Sequence, residues 1–490
     1  MNLPSEQKNS SVSLNFFKWG FLLYIAILPI AGTIALRNIL LAALVLVSSV
    51  WFFNLKLRSA QPGGQRIIFP RTYWLFGIFL LIFPLISKDF DTAVSSLRSQ
   101  WGPGMLAWFV GIIAGHLLPI ERLKSRTFII ASGFLVIVHL LEITMAWSGL
   151  LGSHVTIDMS WSEMWNGFKS VFINGYQWPP IGGIPWKFRG FDDMHGNVGN
   201  TGLQAIALIT IFHFRNQAAP SLPRYLIAIS LIFISFFVSG SRGSVIFGFL
   251  LIMIALYLLN RGRSIVSIES IGRNWSYALI GGLVAMILFS VSLSHDSRWD
   301  ISAVVKKLET AAAIQDPLNF ICEGKDQVAQ TADHQEPVGS HDITNESIGG
   351  DGARVLLMRA GLSLVIHHPW GLDGSRQSYQ KLISMHCSHL PQVEYAHTHQ
   401  GWMNMALALG WLGAGLYALI FLEIIYKSAK KSTSSKTNQD AAILALLLLS
   451  IFWVMRGFLD SVYQDHFLQM QGVMIGFLYA RSKFNRPNLV

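Results

Sequence analysis

The chain alternates long apolar runs with shorter polar connections. The runs hold about 16 to 25 residues, the length that an α-helix needs to cross roughly 30 Å of hydrocarbon. Twelve runs are found, at 15–35, 38–55, 72–87, 102–119, 127–150, 198–213, 225–240, 244–260, 275–294, 401–425, 441–458 and 467–481. This pattern predicts an all-α polytopic membrane protein with about twelve transmembrane helices.

The basic residues predict how these helices are oriented. An even number of spans puts both termini on one side, and cytoplasmic connections are enriched in lysine and arginine. With Met1 in the cytoplasm, 21 basic residues fall in cytoplasmic segments, against 5 in the short connections on the other side. We therefore expect both termini in the cytoplasm.

Two outward segments are too long to be simple turns, residues 151–197 and 295–400. They divide the chain into spans one to nine within 1–294, the large loop, and spans ten to twelve with a cytoplasmic tail within 401–490. Long segments of this kind are usually functional or disordered. Residues 323–352, rich in Gln, Asp, Gly and Ser, are expected to form a mobile insertion.

The part of the large loop after this insertion is expected to be ordered. Apolar residues recur with helical spacing at Val355, Leu356, Met358, Leu362 and Ile366. We expect an amphipathic helix from Arg354 to near Pro369, because the residue before a proline disfavours the helical state. In an oxidising compartment, the two cysteines of the loop, Cys322 and Cys387, would be able to form a disulfide.

Composition narrows the class of protein. Apolar residues make up 52% of the chain and charged residues only 13%, whereas soluble globular proteins carry about a quarter charged residues. This balance excludes a soluble enzyme, a nucleic-acid-binding domain and a disordered scaffold. The net charge of +10 comes from lysines and arginines that, in a polytopic membrane protein, set the orientation of the helices. It therefore gives no reason to expect a nucleic-acid partner. The first apolar run has no clear cleavage site for a signal peptide.

Two arginines lie where outward connections meet helix ends. Arg189, in Lys187-Phe188-Arg189-Gly190, is either an interfacial arginine that reaches for water or part of a ligand pathway. Arg242 lies in the turn Ser239-Gly240-Ser241-Arg242-Gly243-Ser244. That turn is either a close-packing device of small residues or an anion site made of turn amides and a guanidinium.

A second pair of segments lies in the large loop. Arg354 and Arg359 cannot share one helix face neatly, so we expect one to face the ligand and the other solvent. They precede the turn His367-His368-Pro369-Trp370-Gly371-Leu372-Asp373-Gly374 and Arg376. His397-Thr398-His399-Gln400 stands directly before the tenth span, and its histidines are either interfacial, part of a metal site with His386 and His389, or catalytic.

Several arginines with one histidine, and no paired carboxylates, suit a phosphate-bearing anionic substrate. Arginine neutralises charge that develops on a leaving pyrophosphate, and a histidine accepts a proton from an attacking hydroxyl. A site at the outer membrane surface suits a lipid-linked donor. Neither a metal nor a cofactor is expected.

These segments resemble the bacterial O-antigen ligase and polymerase family. The resemblance rests on Arg354, the His368-Pro369-Trp370-Gly371 turn, His399-Gln400 and the Gly410/Gly413 pair, supported by Arg189-Gly190 and Ser241-Arg242-Gly243. Where the family commonly has His-Asn, this chain has His399-Gln400, an amide for an amide. The 323–352 segment also looks longer than the family needs.

The resemblance implies a metal-independent glycosyltransferase of GT-C architecture in the bacterial inner membrane, with its active site on the periplasmic face. The donor would be a glycan on undecaprenyl pyrophosphate and the acceptor lipid A-core, both within membrane lipid. His399 would be the catalytic base and Arg242 and Arg354 would bind the pyrophosphate, with Arg189 as a weaker match. Supporting positions would be His397, Arg359, Arg376 and Gln400.

Four functions remain open from the sequence. An O-antigen ligase in lipopolysaccharide biosynthesis is the first. An O-antigen polymerase would use a second lipid-linked glycan as its acceptor, and a protein O-oligosaccharyltransferase would usually carry a further soluble region near its C-terminus. A transporter of lipid-linked glycans would use the arginines as a phosphate path, although only Glu142, one turn after His139, stands out as a charge within a span.

Overall fold

The computed structural model describes most of the chain. The described residues are 4–59, 67–118, 123–152, 156, 158–176, 188–191, 195–215, 222–261, 300–323, 350–391, 397–434, 441–463 and 465–484. The ninth predicted span, at 275–294, and residues 324–349 of the predicted insertion lie outside them.

The first half of the fold is built almost entirely of helices. Among the described residues, the helices before the first long outward segment are α1 (Pro4–Ile27), α2 (Ile34–Ser59), α3 (Arg71–Ile86), α4 (Phe90–Ser96), α5 (Gly102–Leu117), α6 (Ser125–Ser132) and α7 (Phe134–Trp147). A π-helical turn, Leu97–Trp101, joins α4 to α5. α6 and α7 bend by 62° at Gly133, within the run predicted as the single span 127–150.

The middle of the chain adds one short strand pair. The elements are β1 (Asp158–Met159), α8 (Trp161–Asn174), β2 (Gly190–Phe191), α9 (His195–Arg215), α10 (Leu222–Val238) and α11 (Arg242–Arg261). The two strands pair in parallel, with Asp158 opposite Gly190 and Met159 opposite Phe191.

The described parts of the large loop are also helical. They contain α12 (Ile301–Ala313), α13 (Pro317–Glu323), α14 (Asp351–His367) and α15 (Ser378–His386). The last three helices are α16 (Gly401–Ser434), α17 (Ala441–Gly457) and α18 (Asp465–Phe484). Cys322 of α13 forms a disulfide with Cys387, directly after α15.

The helix predicted from Arg354 to Pro369 is confirmed as α14, but its apolar face differs from the prediction. Of the predicted apolar positions, Leu356 is buried and Val355 half-buried, whereas Met358, Leu362 and Ile366 are exposed. Leu357 and Leu364, which the predicted pattern did not include, also enter the core. Sequence periodicity found a real apolar stripe at 358, 362 and 366. It did not show that a second stripe would be the buried one.

Close backbone packing joins α5 to α18 at the centre of the fold. A Cβ atom on Gly111 would lie 2.4 Å from the carbonyl oxygen of Val473, and one on Gly115 would lie 2.4 Å from that of Phe477. A Cβ on Gly472 would lie 2.8 Å from the carbonyl oxygen of Gly104 in α5. Small residues four apart allow helices in lipid to gain contact area by close approach.

Several helices have the length and apolarity of membrane spans. Among the described residues, three qualify, Ile34–Asn54, Arg242–Leu259 and Gly401–Ser432, and the bent α6–α7 pair makes a fourth. Shorter apolar helices occur at Leu14–Ile27, Arg71–Ile86, Leu222–Val238 and Ala441–Gly457. This architecture is typical of a polytopic membrane protein, while the count of twelve spans and the GT-C architecture stay predictions.

Many of the connections meet at one end of the helical bundle, which we call the site end. Asn197 at the start of α9 donates to the carbonyl oxygen of Pro29 and is 3.0 Å from His466 Nε2. The Lys88 amide donates to the carbonyl oxygen of Leu372. The Phe188 amide donates to the carbonyl oxygen of Val238, which joins the loop before β2 to the end of α10. The predicted site residues lie in or beside these connections.

Candidate active site

His399 occupies a strained position directly before α16. Its φ of +55° lies in the left-handed region, which is uncommon for a residue with a Cβ, and residues held in such conformations cluster at functional sites. The neighbouring Thr398 holds the loop in place, because its amide and hydroxyl both donate to Oδ1 of Asn404, at 3.0 and 2.8 Å. Asn404 in turn donates to Ser461 Oγ at 2.7 Å. These bonds fix residues 397–400, which we call the His399 loop, to the connection between α17 and α18.

The surroundings of His399 favour its neutral form. The rings of His397 and His399 lie with their centres 4.4 Å apart. Burial lowers the pKa of His399 to about 4, and His397 and Arg354 act in the same direction, while Asp460 acts against them. Burial also lowers the pKa of His397. At neutral pH the His399 imidazole is therefore able to accept a proton.

Asp460, which sequence reasoning missed, supplies the carboxylate of this site. Its Oδ2 accepts a hydrogen bond from Arg456 at 2.7 Å, and its Oδ1 accepts one from the Ser461 amide at 2.9 Å. Burial acts to raise the pKa of Asp460, but Arg456 and the other cations and donors around it hold that pKa below its usual value. The carboxylate is therefore ionised. Its negative charge raises the pKa of His399, against the burial and the cations that lower it.

Arg456 connects three parts of the site. It lies in the last turn of α17 with its side chain 7% exposed, and its Nε donates to Asn200 Oδ1 of α9 at 3.1 Å. Its Nη1 also lies against Gly243, where a Cβ would come within 3.0 Å of it. Sequence reasoning counted Arg456 only as an outward basic residue, although its spacing to Asp460 is that of a helical ion pair.

The turn that carries Arg242 is packed tightly against α9. Ser241 and Ser244 share a hydrogen bond of 2.6 Å between their hydroxyls, and a Cβ on Gly199 would lie 2.2 Å from Ser244 Oγ. The small residues of this turn therefore allow close packing against α9, and the anion-site interpretation stays a prediction. This packing places Arg242, the first residue of α11, next to the Gly243 position that touches Arg456.

Arg354 and Arg359 have different surroundings on α14. Arg354 is an exposed residue of the first turn and interacts electrostatically with both His399 and Asp460. Arg359 does not face solvent as expected. Its Nη1 donates to the carbonyl oxygens of Ala311 and Ala312, at 3.0 and 2.9 Å, and so holds the last turn of α12.

Helix α14 packs directly on the His399 loop. A Cβ on Gly361 would lie 2.9 Å from Thr398 Cγ2 and 2.9 Å from Met403 Cγ, so only a glycine permits this approach. This contact explains how Arg354, 45 residues before His399 in the chain, comes within its electrostatic reach. Gln400 belongs to the same loop, and its backbone amide donates to Thr398 Oγ1 at 3.3 Å.

Arg189 and Arg376 each have a carboxylate partner. Arg189 Nη1, directly before β2, lies 3.7 Å from Oδ2 of Asp158 in β1. Arg376 Nη1 lies 3.1 Å from Asp465 Oδ2 at the start of α18. Both arginines are at the site end, but each forms an ion pair with an aspartate outside the group around His399.

The turn between α14 and α15 inserts into a kink of α16. Gly410 has a φ of +75°, and a Cβ on Gly371 would lie 2.3 Å from the Gly410 amide nitrogen. The Leu372 amide donates to the carbonyl oxygen of Leu407, and the Trp411 amide donates to the carbonyl oxygen of Pro369. Gly371 and Gly410 therefore hold the first segment of α16 against this turn, while Gly413 packs on Phe79 of α3.

A family comparison places this site in a known context. Residues 227–418 match the family model of O-antigen ligase, Wzy_C. The match spans less than half of the chain and includes Arg242, Arg354, His397 and His399, while Arg189, Arg456 and Asp460 lie outside it. No curated protein matches the chain significantly. The resemblance to the O-antigen ligase and polymerase family is thus confirmed, and it supports a ligase- or polymerase-type function in O-antigen and lipopolysaccharide synthesis.

Proposed function

We propose, from the O-antigen ligase domain and the arrangement around His399, that this chain is an O-antigen ligase. It transfers a glycan from undecaprenyl pyrophosphate to a sugar hydroxyl of lipid A-core. The observation that carries the proposal is a buried, neutral histidine, His399, within electrostatic reach of an exposed arginine, Arg354, and of an ionised carboxylate, Asp460. This set contains a proton acceptor and a cation for a pyrophosphate, which are the two groups that the transfer needs.

The reaction exchanges one bond at the anomeric carbon. The acceptor hydroxyl oxygen bonds to that carbon, and its proton goes to the imidazole of His399. The bond between the anomeric carbon and the pyrophosphate oxygen breaks, and undecaprenyl pyrophosphate leaves as an anion. Arg354 and Arg242 neutralise the charge that develops on this leaving group.

Asp460 acts through His399 and does not touch the substrate. Once the imidazole has taken the proton, it carries a positive charge that the Asp460 carboxylate stabilises. Arg456 holds this carboxylate in place and links it to Asn200 and to the start of α11. Asp460 and Arg456 are therefore positioning residues.

We place this chemistry on the periplasmic face of the inner membrane, with both termini in the cytoplasm. The distribution of lysine and arginine supports this orientation. The disulfide between Cys322 and Cys387 also supports it, because disulfides persist in the oxidising periplasm and are rare in the cytosol.

A reconstituted assay tests this proposal. Purified protein in nanodiscs receives labelled undecaprenyl-pyrophosphate glycan together with either lipid A-core or a second lipid-linked glycan. We expect a product on lipid A-core only, and at least ~100-fold less of it with His399→Ala. His389→Ala, which removes an exposed histidine of the same loop, is the matched control and should retain full activity.

The other outcomes identify the competing functions. Extension of the second lipid-linked glycan would show a polymerase. Movement of the donor across the bilayer with no product on either acceptor would show a transporter. Full transfer by His399→Ala would refute the catalytic role of this residue.

A further inference from the structure

A cavity of about 690 Å³ lies at the site end, beside the group around His399 and not within it. It is bounded by α2, by the α4–α5 connection, and by the segment after Gly374. Its size is within the range of about 300 to 1,000 Å³ that is typical of ligand-binding pockets. The sequence did not indicate this cavity.

One wall of the cavity is rich in hydrogen-bond donors. It contains two guanidiniums, from Arg98 and Arg376, with hydroxyls and amides between them that include Ser99, Gln100 and Gln377. Guanidiniums and hydroxyls are the side chains that most often bind phosphate oxygens. The described lining includes one carboxylate, that of Asp465.

The π-helical turn Leu97–Trp101 shapes this wall. Its consecutive residues Arg98, Ser99 and Gln100 all line the cavity. Trp101 anchors the turn, since its Nε1 donates to the Gly374 carbonyl oxygen at 2.8 Å. Single π-turns inside helices are frequent at functional sites.

The balance of charge at the cavity is positive. Asp465 pairs with Arg376 at 3.1 Å and also interacts electrostatically with the buried Arg37, whose Nη1 donates to the Leu28 carbonyl oxygen. The described lining therefore holds two guanidiniums, those of Arg98 and Arg376, against one carboxylate whose charge is partly offset by Arg37. An anion that enters the cavity gains more attraction than repulsion.

Apolar side chains also line the cavity, beside Asn38 of α2, and those of α2 continue onto the outer surface of this helix. Ile34, Leu41 and Leu106 are among these apolar side chains. Ile34 is 63% exposed and Ile39, on the same helix, is 65% exposed. In a membrane such a surface faces acyl chains, so a ligand is able to place its phosphate on the polar wall while its tails stay in lipid.

We propose that this cavity binds the phosphorylated part of the acceptor glycolipid, which gives the enzyme a second anion site separate from the donor site. This inference rests on the proposed function. A transferase with two lipid-anchored substrates has to hold both at once, and the proposed donor residues Arg242 and Arg354 are not in the lining of the cavity.

The distance between the cavity and His399 sets how far the acceptor hydroxyl must lie from the phosphate groups of the ligand. Gly374 directly precedes the lining segment, and its amide donates to the Ala408 carbonyl oxygen at 3.0 Å. The segment of α16 from Gly401 to Leu409 then leads back to the His399 loop, a length of about 12 Å. The ligand is accordingly a phosphoglycolipid whose acceptor sugar lies beyond its phosphorylated sugars.

Binding measurements test this proposal independently of transfer. Native mass spectrometry of the purified protein would measure the affinity for lipid A-core, for dephosphorylated lipid A-core, for undecaprenyl pyrophosphate and for phosphatidylglycerol. We expect Arg98→Gln and Arg376→Gln each to weaken binding of phosphorylated lipid A-core by about tenfold and to leave the other three ligands unchanged. Arg224→Gln, which alters an exposed arginine at the start of α10, is the matched control.

A gain of affinity excludes misfolding as the explanation. Asp465→Asn removes the one carboxylate and retains a residue that tolerates the φ of +46° at this position. We expect this variant to bind phosphorylated lipid A-core about threefold more tightly. Unchanged binding in all three variants, or an equal loss for undecaprenyl pyrophosphate or phosphatidylglycerol, would overturn the proposal.

The two proposals fail in different ways. If no transfer is seen with any acceptor but lipid A-core binding still depends on Arg98 and Arg376, the proposed function fails and the cavity assignment stands. If transfer is seen and binding is indifferent to both arginines, the cavity assignment fails alone.

Discussion

Two arginine–aspartate pairs flank the connection between α17 and α18, and they differ in burial. In the pair of Arg456 with Asp460, the side chains are 7% and 35% exposed, and Asn200 adds a third partner. In the pair of Arg376 with Asp465, they are 62% and 42% exposed. Loss of one partner is costly in a buried pair and cheap in an exposed one. The first pair is therefore suited to fix geometry around His399, and the second to exchange its carboxylate for a ligand.

The largest effect on stability is expected from the buried pair. Arg456→Gln would leave Asp460 without its cation and weaken the link to Asn200, which lowers the free energy of unfolding by about 2 to 3 kcal/mol. Transfer should fall with it, because the carboxylate near His399 is no longer held. Thermal unfolding in nanodiscs measures the first effect, with Arg456→Lys as a control that keeps the charge. A change under ~0.5 kcal/mol would show that the pair is not buried in the working protein.

A smaller effect, on rate more than on stability, is expected from the carboxylate itself. Asp460→Asn retains the hydrogen bond from Ser461 but removes the charge that stabilises protonated His399, so the rate should fall about tenfold to 100-fold. Because Asp460 raises the pKa of His399, its removal should also move the acid limb of the rate profile to lower pH. Arg354→Gln should move it to higher pH, since Arg354 lowers that pKa. Shifts in the same direction would show that these charges do not act on one base.

An intermediate case lies between the two pairs. Arg359 is half-buried and donates to the final carbonyl groups of α12, so Arg359→Gln should cost about 1 kcal/mol of stability. Transfer should change less than threefold, because Arg359 holds a helix and not a substrate. Chemical denaturation measures this cost. A large loss of transfer at full stability would give Arg359 the ligand-binding role that its position in the sequence allowed.

The smallest stability effect is expected from the exposed pair. Arg376→Gln should change the free energy of unfolding by less than about 0.5 kcal/mol, because exposed ion pairs contribute little. The same denaturation experiment serves as the measurement, and salt should have little further effect on the variant. A loss as large as that of Arg456→Gln would show that the pair is structural and not available to a ligand.

The sequence predicted the polar loop residues of the site better than their partners. His399, Arg354 and Arg242 stood out because charged residues are rare in this chain and these three lie next to predicted helix ends. Asp460 lies 61 residues after His399, and only the packing of α16 against the α17–α18 connection brings the two together. No local spacing contains that information. Arg456 was visible, but as a marker of orientation.

The helices were predicted well as apolar segments and poorly as shapes. Hydropathy identified the run at 127–150 but not its bend at Gly133, because a window average does not respond to one backbone angle. The same limit hid the kink at Gly410, the π-turn before α5, and the buried stripe of α14. These are the features that shape the His399 loop and the cavity, so the fold class was accessible from sequence and the site geometry was not.

The pH dependence of glycan transfer tests the central claim, that neutral His399 takes the proton, most directly. The profile of kcat/KM for lipid A-core reports the titration of the base in the enzyme before substrate binds. We predict a rate that is flat above pH 6 and falls as pH drops through about 4, the pKa of His399. In His399→Ala the residual rate should lack this limb. A wild-type limb that persists at the same pH in His399→Ala would contradict the account.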